Sequence, residues 1–410
     1  MVNTVLSQCR LRHIGFFSAL FIYGVFGSPT PDHFGWAEMA VGVGLLIAIG
    51  PLQMLQRFST RQQGVWQNAA QLLLVYGLSV PVLCGVASGH DLSVIFRDII
   101  PFLFLLLPYF MLGWIDGSVA EKTFVTAGIV FIGVAFGARL IFPALQDGVG
   151  FTNAPDALYL SIAPTVVFAA IFLTGLAGHL LYCRVSFVSA VMACGFLLLA
   201  LLPISGMVMT LQRASLGLTA AGIFLLLLIG AVRRPMRAIV PSIFCVLLLI
   251  FFAPSVGAIL DSLLQKQAMV GSNMRLQEFR AVADTMDDSI LHVLFGRGWG
   301  ATLASPAVGG VVVNFTHSLL TSYWMKTGLV GLLIVLVYLG SLASALVRMV
   351  RVQPVLAVAL FVPLAIDVIL YASFKSLDFG LILLLLALWG TMRVGQNMGA
   401  VAHPGGMVYP

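Results

Sequence analysis

The sequence predicts an all-α, polytopic membrane protein, and three observations carry that prediction. Of the 410 residues, 60% are hydrophobic and only 9% are charged, against roughly 45–50% and about 25% in soluble domains. The mean hydropathy is +1.06, and the apolar residues fall into runs of about 20, the length that crosses a hydrocarbon core of about 30 Å. In lipid every backbone polar group must be satisfied within the chain, so runs of this kind are helices.

Hydropathy and helix breakers divide the chain into twelve predicted spans: 14–28, 36–55, 65–87, 97–114, 123–145, 157–181, 186–209, 214–232, 238–259, 318–347, 353–373 and 379–396. The first follows Arg10, Arg12 and His13 and lacks a small-residue cleavage site, so it is expected to remain as an anchor. The five cysteines show no C-x-x-C spacing, so neither a zinc site nor a disulfide framework is expected. Net charge is +6, but the basic residues lie in short clusters between spans, so membrane orientation accounts for them and no nucleic-acid partner is expected.

An even number of spans puts both termini on one side. Twelve basic residues fall there (Arg10, Arg12, Arg57, Arg61, Lys122, Arg184, Arg233, Arg234, Arg237, Arg348, Arg351 and Arg393), accompanied only by Asp116 and Glu121. The other side carries nine (Arg97, Arg139, Arg213, Lys266, Arg275, Arg280, Arg297, Lys326 and Lys375) among most of the acids. This asymmetry predicts cytoplasmic termini. It also places the polar interruption at 260–328 on the outer side. The expected organisation is nine helices over 1–259, an exoplasmic helical loop over 260–317, three helices over 318–396, and a disordered cytoplasmic tail over 397–410.

Within the interruption, SNMRLQEFRAVADTMDDSILHVLF spaces Met274, Phe279, Val282, Met286, Ile290 and Val293 as in one or two amphipathic helices. FGRGWGATL reads as a Gly-rich turn, and His317 is expected to begin the tenth helix behind an N-cap at Thr316 or Asn314.

Arginines on the non-cytoplasmic side run against the usual bias, and an anionic ligand would account for them. Arg213, in MTLQRASLGL, either snorkels to headgroups or grips phosphate with its planar fork. Arg275 lies on a loop helix, either solvated or binding. Arg280 and Arg297 are either ligand-binding or paired with Glu278, Asp284, Asp287 or Asp288. His317 is either a hydrogen-bonded surface group or a base suited to a sugar hydroxyl at neutral pH. Asp367, an acid within a span, is a further candidate and a suitable partner for an exoplasmic arginine. Asp378 and Lys375 are expected to form a solvent-exposed pair. Asp287–Asp288 lacks a third metal ligand of convincing spacing, and Asp32 and Glu38 lie in the first exoplasmic loop, where a catalytic acid is an open alternative.

Three segments carry a resemblance to the O-antigen ligase family, a superfamily that also holds polysaccharide polymerases and protein O-oligosaccharyltransferases. LQRASLGLTAAGIFLLLL resembles the family's S-R-G-like helix start, with QRA in its place. SNMRLQEF to LFGRGWG resembles R-x-x-x-W followed by G-x-G, with Phe279 for the Trp. FTHSLLTSYWMKTGLVG resembles H-[NS]-x-x-L followed by G-L-x-G. Together they cover residues 210–332. The resemblance implies a membrane glycosyltransferase of C-type-like fold in the bacterial inner membrane, inverting, independent of metal and cofactor, with a periplasmic site. Its donor would be a polysaccharide on undecaprenyl diphosphate and its acceptor the lipid A-core of lipopolysaccharide. By position, Arg213 and Arg275, with Arg280 as the alternative second ligand, would hold the diphosphate, and His317 would be the general base. A polymerase with the same donor is the near rival. A lipid-linked glycan transporter is the distant one, since no paired halves with matching broken helices are visible.

Overall fold

The computed structural model describes residues 2–29, 35–59, 64–112, 118–147, 157–183, 186–233 and 274–390, with isolated positions Ile115, Pro235, Met236, Gly257, Asp261 and Leu264. The ninth expected span, Asp32, Lys266 and the 397–410 tail lie outside the described residues. In chain order the helices are α1 (Val2–Phe26), α2 (Trp36–Ile49), α3 (Pro51–Ser59), α4 (Val65–Ala87), α5 (Leu92–Leu105), α6 (Leu107–Met111), α7 (Val119–Asp147), α8 (Ala157–Ser161), α9 (Pro164–Cys183), α10 (Phe187–Met209) and α11 (Arg213–Arg233). After the undescribed stretch come α12 (Arg275–Met286), α13 (Ile290–Phe295), α14 (Leu319–Val352), α15 (Pro354–Ile369) and α16 (Leu377–Gly390).

This is a polytopic membrane protein. Among the described residues, six helical segments are long and apolar enough to cross a bilayer: α4, Val119–Ile141 of α7, Ala157–Cys183, α10, α11 and α14; α2, α15 and α16 are shorter apolar helices. Several of the twelve expected spans are therefore broken or short. The second breaks at Gly50, which takes φ +76° ahead of Pro51. The fourth breaks at Leu106, where Pro108 begins a new short helix. The sixth is split into α8 and α9 ahead of Pro164. Proline has no N–H to continue a helical ladder, and each of these three breaks lies within two residues of one.

Hydrophobicity all round marks a helix buried in a protein core or spanning a membrane. α16 is one: Leu377 to Leu388 are all buried. α10 and α11 are equally apolar yet expose Phe187, Leu198, Phe224 and Leu228, the faces that meet lipid. Asp378 sits at the start of α16 with no exposure, accepting hydrogen bonds from Tyr23 of α1 and Thr165 of α9. The solvent-exposed Asp378–Lys375 pair expected from sequence does not form, because α16 carries Asp378 into the core, where hydroxyl donors satisfy it.

Two helix breaks seat the loop. Pro81 inside α4 leaves the Gly77 carbonyl without its helical donor, and Trp299 Nε1 supplies one at 2.7 Å; the Trp299 amide donates to the Pro81 carbonyl at 2.9 Å. α14 breaks at Gly328, where φ is +68° and ψ −175°. The amides of Arg297 and Gly298 then donate to the carbonyls of Met325 and Lys326, at 2.9 and 3.0 Å. The backbones approach so closely that a Cβ on Gly298 would lie 2.1 Å from the Gly85 nitrogen, and one on Gly328 2.2 Å from the Leu294 oxygen. FGRGWG is thus a clamp that bolts the loop onto α4 and α14.

The loop is not wholly helical, as the sequence had suggested. Leu303–Ser305 and Val311–Val313 form an antiparallel hairpin with Leu303 opposite Val313 and Ser305 opposite Val311. Gly309 and Gly310, both at positive φ, turn the chain, and the β-branched valines favour an extended strand.

Candidate active site

α12 buries one stripe at helical spacing, Glu278, Val282 and Met286. Val282 and Met286 join Ala301, Leu303 and Met325 in a small apolar cluster, which fixes the helix over the start of α14. The stripe begins with an acid only 2% exposed, and a buried carboxylate demands partners. Glu278 Oε1 accepts from Ser305 Oγ at 2.8 Å and from His317 Nδ1 at 2.9 Å, while Oε2 accepts from the His317 backbone amide at 3.0 Å. Burial pushes the Glu278 carboxyl up, but the hydrogen bonds and charge of His317, helped by Ser305, hold it below its ordinary range.

That contact settles the imidazole. In the neutral imidazole the nitrogen facing the carboxylate carries the proton, so Nδ1 donates and Nε2 holds the lone pair. Side-chain exposure of 20% leaves the ring reachable. Helix α14 starts two residues later than the sequence suggested, at Leu319, with Ser318 as N-cap: its Oγ accepts from the Leu320 amide at 3.2 Å and donates to the Val368 carbonyl at 3.0 Å. Thr316 instead bonds the Thr321 hydroxyl at 2.7 Å. His317 therefore lies in extended chain ahead of the helix, held by Glu278.

Arg275 is one turn before Glu278, with Nη1 3.9 Å from Oε2. Its Nε and Nη1 are buried and make no hydrogen bond to any described residue. Burial pulls this guanidinium below the ordinary arginine range, against the opposing charge of Glu278 and Tyr371. Tyr371, in the turn after α15, is raised by its own burial, and the charges of both Arg275 and Arg213 pull it back. Tyr371 thus feels the charge of Arg275 and also of Arg213, half-buried at the start of α11. Leu211 (φ +51°) and Met274 (φ +45°) are the non-glycine residues at positive φ among those described. Each stands within two positions of one of these arginines, and such strained backbone concentrates at functional sites.

Four further polar residues converge nearby. Asp98 of α5, 5% exposed, takes Lys326 Nζ at 2.5 Å and the Gly300 amide at 2.8 Å, with Lys375 Nζ 3.9 Å away. Both lysines donate to the Asn314 carbonyl, at 2.7 and 3.1 Å.

Other candidates stand elsewhere. Arg280 is exposed on α12, five residues and about 140° of helix from Arg275. Arg297 pairs with Asp288 and donates from Nε to the Thr285 carbonyl at 2.8 Å. Asp367 is fully buried and takes a hydrogen bond from Ser373. The arginine partner expected for Asp367 does not reach it, because α15 buries the carboxyl among the packed helices beside Ser373. Glu38 accepts from the Gly35 amide at 3.0 Å. Arg139 donates to the Gly27 carbonyl at 2.7 Å beyond the end of α1, which accounts for one arginine without a ligand. Among the described residues no three His, Cys, Asp or Glu side chains gather as metal ligands.

Sequence reasoning considered Glu278 only as a partner for Arg280 or Arg297, whereas it meets His317 and Arg275, and it passed over Asp98 and Lys326 as site residues. A signal for the last two existed: an acid in one predicted span and a lysine in another are complementary intramembrane charges. The signal for Glu278 in this role was its place three residues after Arg275.

Residues 197–336 match the family described as O-Antigen ligase. Among curated proteins none matches the chain at a significant level. The matched stretch contains Arg213, Arg275, Glu278, the Gly-rich clamp and His317. The chain therefore carries an O-antigen ligase family domain over residues 197–336.

Proposed function

We propose that the protein is an O-antigen ligase, moving a polysaccharide from undecaprenyl diphosphate to the lipid A-core of lipopolysaccharide at the periplasmic face of a bacterial inner membrane. The observation that carries this reading is the Glu278–His317 pair standing one helical turn from the half-buried Arg275, whose Nε and Nη1 hydrogen-bond to no described residue. Family membership of the central segment supports a lipid-linked polysaccharide as substrate.

In this reading His317 Nε2 takes the proton of the acceptor hydroxyl as its oxygen attacks the anomeric carbon. The bond from that carbon to the diphosphate oxygen breaks, and its electron pair leaves with undecaprenyl diphosphate on the opposite face, inverting the centre. Glu278 stabilises the imidazolium that forms, as a carboxylate does behind any general-base histidine. Arg275 and Arg213 take the charge of the departing diphosphate. Arginine suits this task because it stays charged and presents a fork matched to phosphate oxygens.

The test is transfer by the purified protein from an undecaprenyl-diphosphate glycan to rough lipopolysaccharide, with EDTA present. Product that disappears in His317→Ala and Arg213→Ala is the expected result. Full activity in His317→Ala would remove the base from the mechanism, and elongation of the glycan without lipopolysaccharide would replace the ligase by a polymerase. Loss of activity in EDTA would reopen the acids Asp32 and Glu38.

A further inference from the structure

The Asp98 cluster has more cation than its architecture needs. One lysine suffices to tie α5 to α14, and Lys326 does so with its side chain 2% exposed against a carboxylate 3% exposed. The other Asp98 oxygen is occupied by the Gly300 amide. Lys375 adds a second ammonium, 3.9 Å from the same carboxylate and 16% exposed. Two cations thus share one acid and one carbonyl, a surplus positive charge largely removed from water, which is unfavourable unless an anion completes it. Burial, and then Lys326 alongside, push Lys375 well below the usual lysine range, with Asp98 opposing.

The surplus points toward the site already described. Lys375 Nζ lies 5.5 Å from the centre of the Phe315 ring, and Phe315 packs edge-on to His317 with centroids 5.6 Å apart. Asn314, whose carbonyl both lysines hold, is three residues before His317. Lys375 is four residues after Tyr371, which feels both arginines. Among the described residues Lys326 and Lys375 share the one carboxylate of Asp98, and Arg97 adds further positive charge beside Lys375.

We propose that Lys375, set beside Lys326 by Asp98 and the Asn314 carbonyl, is a further anion-binding residue of this site and takes a phosphoryl oxygen of a substrate. The inference rests on the glycosyl-transfer reading and deepens it. The phosphoryl group belongs either to the donor diphosphate or to a phosphate ester on the acceptor glycan, and the chemistry is the same: N–H···O⁻ bonds from a poorly hydrated ammonium.

The experiment uses the full chain in detergent. Inorganic pyrophosphate should raise the Tm of wild type, retain part of that effect in Lys375→Arg, and lose it in Lys375→Met, which keeps the aliphatic stem and removes the buried charge. Steady-state transfer by Lys375→Met should show a KM raised about ten- to a hundredfold, the loss expected for one charge-assisted hydrogen bond, with kcat within about threefold of wild type. A rise for the donor assigns the phosphoryl group to the diphosphate; a rise seen only with a phosphorylated acceptor assigns it there. An unchanged pyrophosphate effect together with unchanged KM for both substrates would overturn the proposal. If wild type transfers nothing, the functional reading falls, while the pyrophosphate measurement still decides whether Lys375 binds an anion.

Discussion

Glu278 holds His317 twice, taking its ring Nδ1 at 2.9 Å on one oxygen and its backbone amide at 3.0 Å on the other. The first contact sets the tautomer, and the second sets where the ring stands. Replacing Glu278 by Gln keeps a group of the same shape but removes the charge that stabilises imidazolium. We expect kcat for transfer to fall by roughly a hundredfold or more, with KM for the donor little changed. A Glu278→Gln enzyme of near wild-type kcat would show that the pair is structural only.

The same contact sets an acid limit. Because the folded carboxyl is held below its ordinary value near 4.5, its contribution to stability is complete above that value and is lost as pH falls through the depressed one. The Tm difference between wild type and Glu278→Gln should therefore be constant at neutral pH and shrink below about pH 4.5. A difference that persists unchanged to pH 3 would contradict the assignment.

Arg275 should trade stability for function. Its Nε and Nη1 are buried and hydrogen-bond to no described residue, with Glu278 3.9 Å away as the nearby counter-charge, so Arg275→Met removes a desolvated charge and is expected to leave Tm equal or higher. Transfer should drop at least about tenfold from the loss of charge-assisted bonds to phosphate. Arg275→Lys should restore little, because an ammonium cannot reproduce the fork.

Asp98 makes the opposite prediction. Removing the carboxylate in Asp98→Asn strands two lysines, and breaking one side of a buried ion pair costs about 3–5 kcal/mol. Thermal unfolding in detergent should show it. The double variant Asp98→Asn, Lys326→Met should recover part of the loss, since fewer unpaired charges remain.

Gly298 tests the clamp. It takes φ +86°, and a Cβ there would sit 2.1 Å from the Gly85 nitrogen. Gly298→Ala is expected to destabilise by at least about 2 kcal/mol through overpacking and left-handed strain. Limited proteolysis of the 274–313 region should quicken in the variant.

Much of this protein was legible in its sequence because the bilayer imposes one local rule. A backbone in lipid must satisfy itself, so apolar length alone announces helices, and six of the twelve predicted spans correspond to α4, α7, α8 with α9, α10, α11 and α14. The arginines and the histidine stood out for a related reason: charge beside a membrane helix is costly and needs explaining. The breaks at Gly50 and Gly328 were harder to read, because glycine permits a left-handed turn without requiring one.

What the sequence by itself determined was the membrane class, the helix content and the residue types at Arg213, Arg275 and His317. Only the tertiary structure decided their company. Glu278 meets His317 across 39 residues, and Asp98 meets Lys326 across 228. Charge partners of this kind carry no periodicity and no spacing, because a buried carboxylate selects whichever donors the packed helices bring within hydrogen-bond reach.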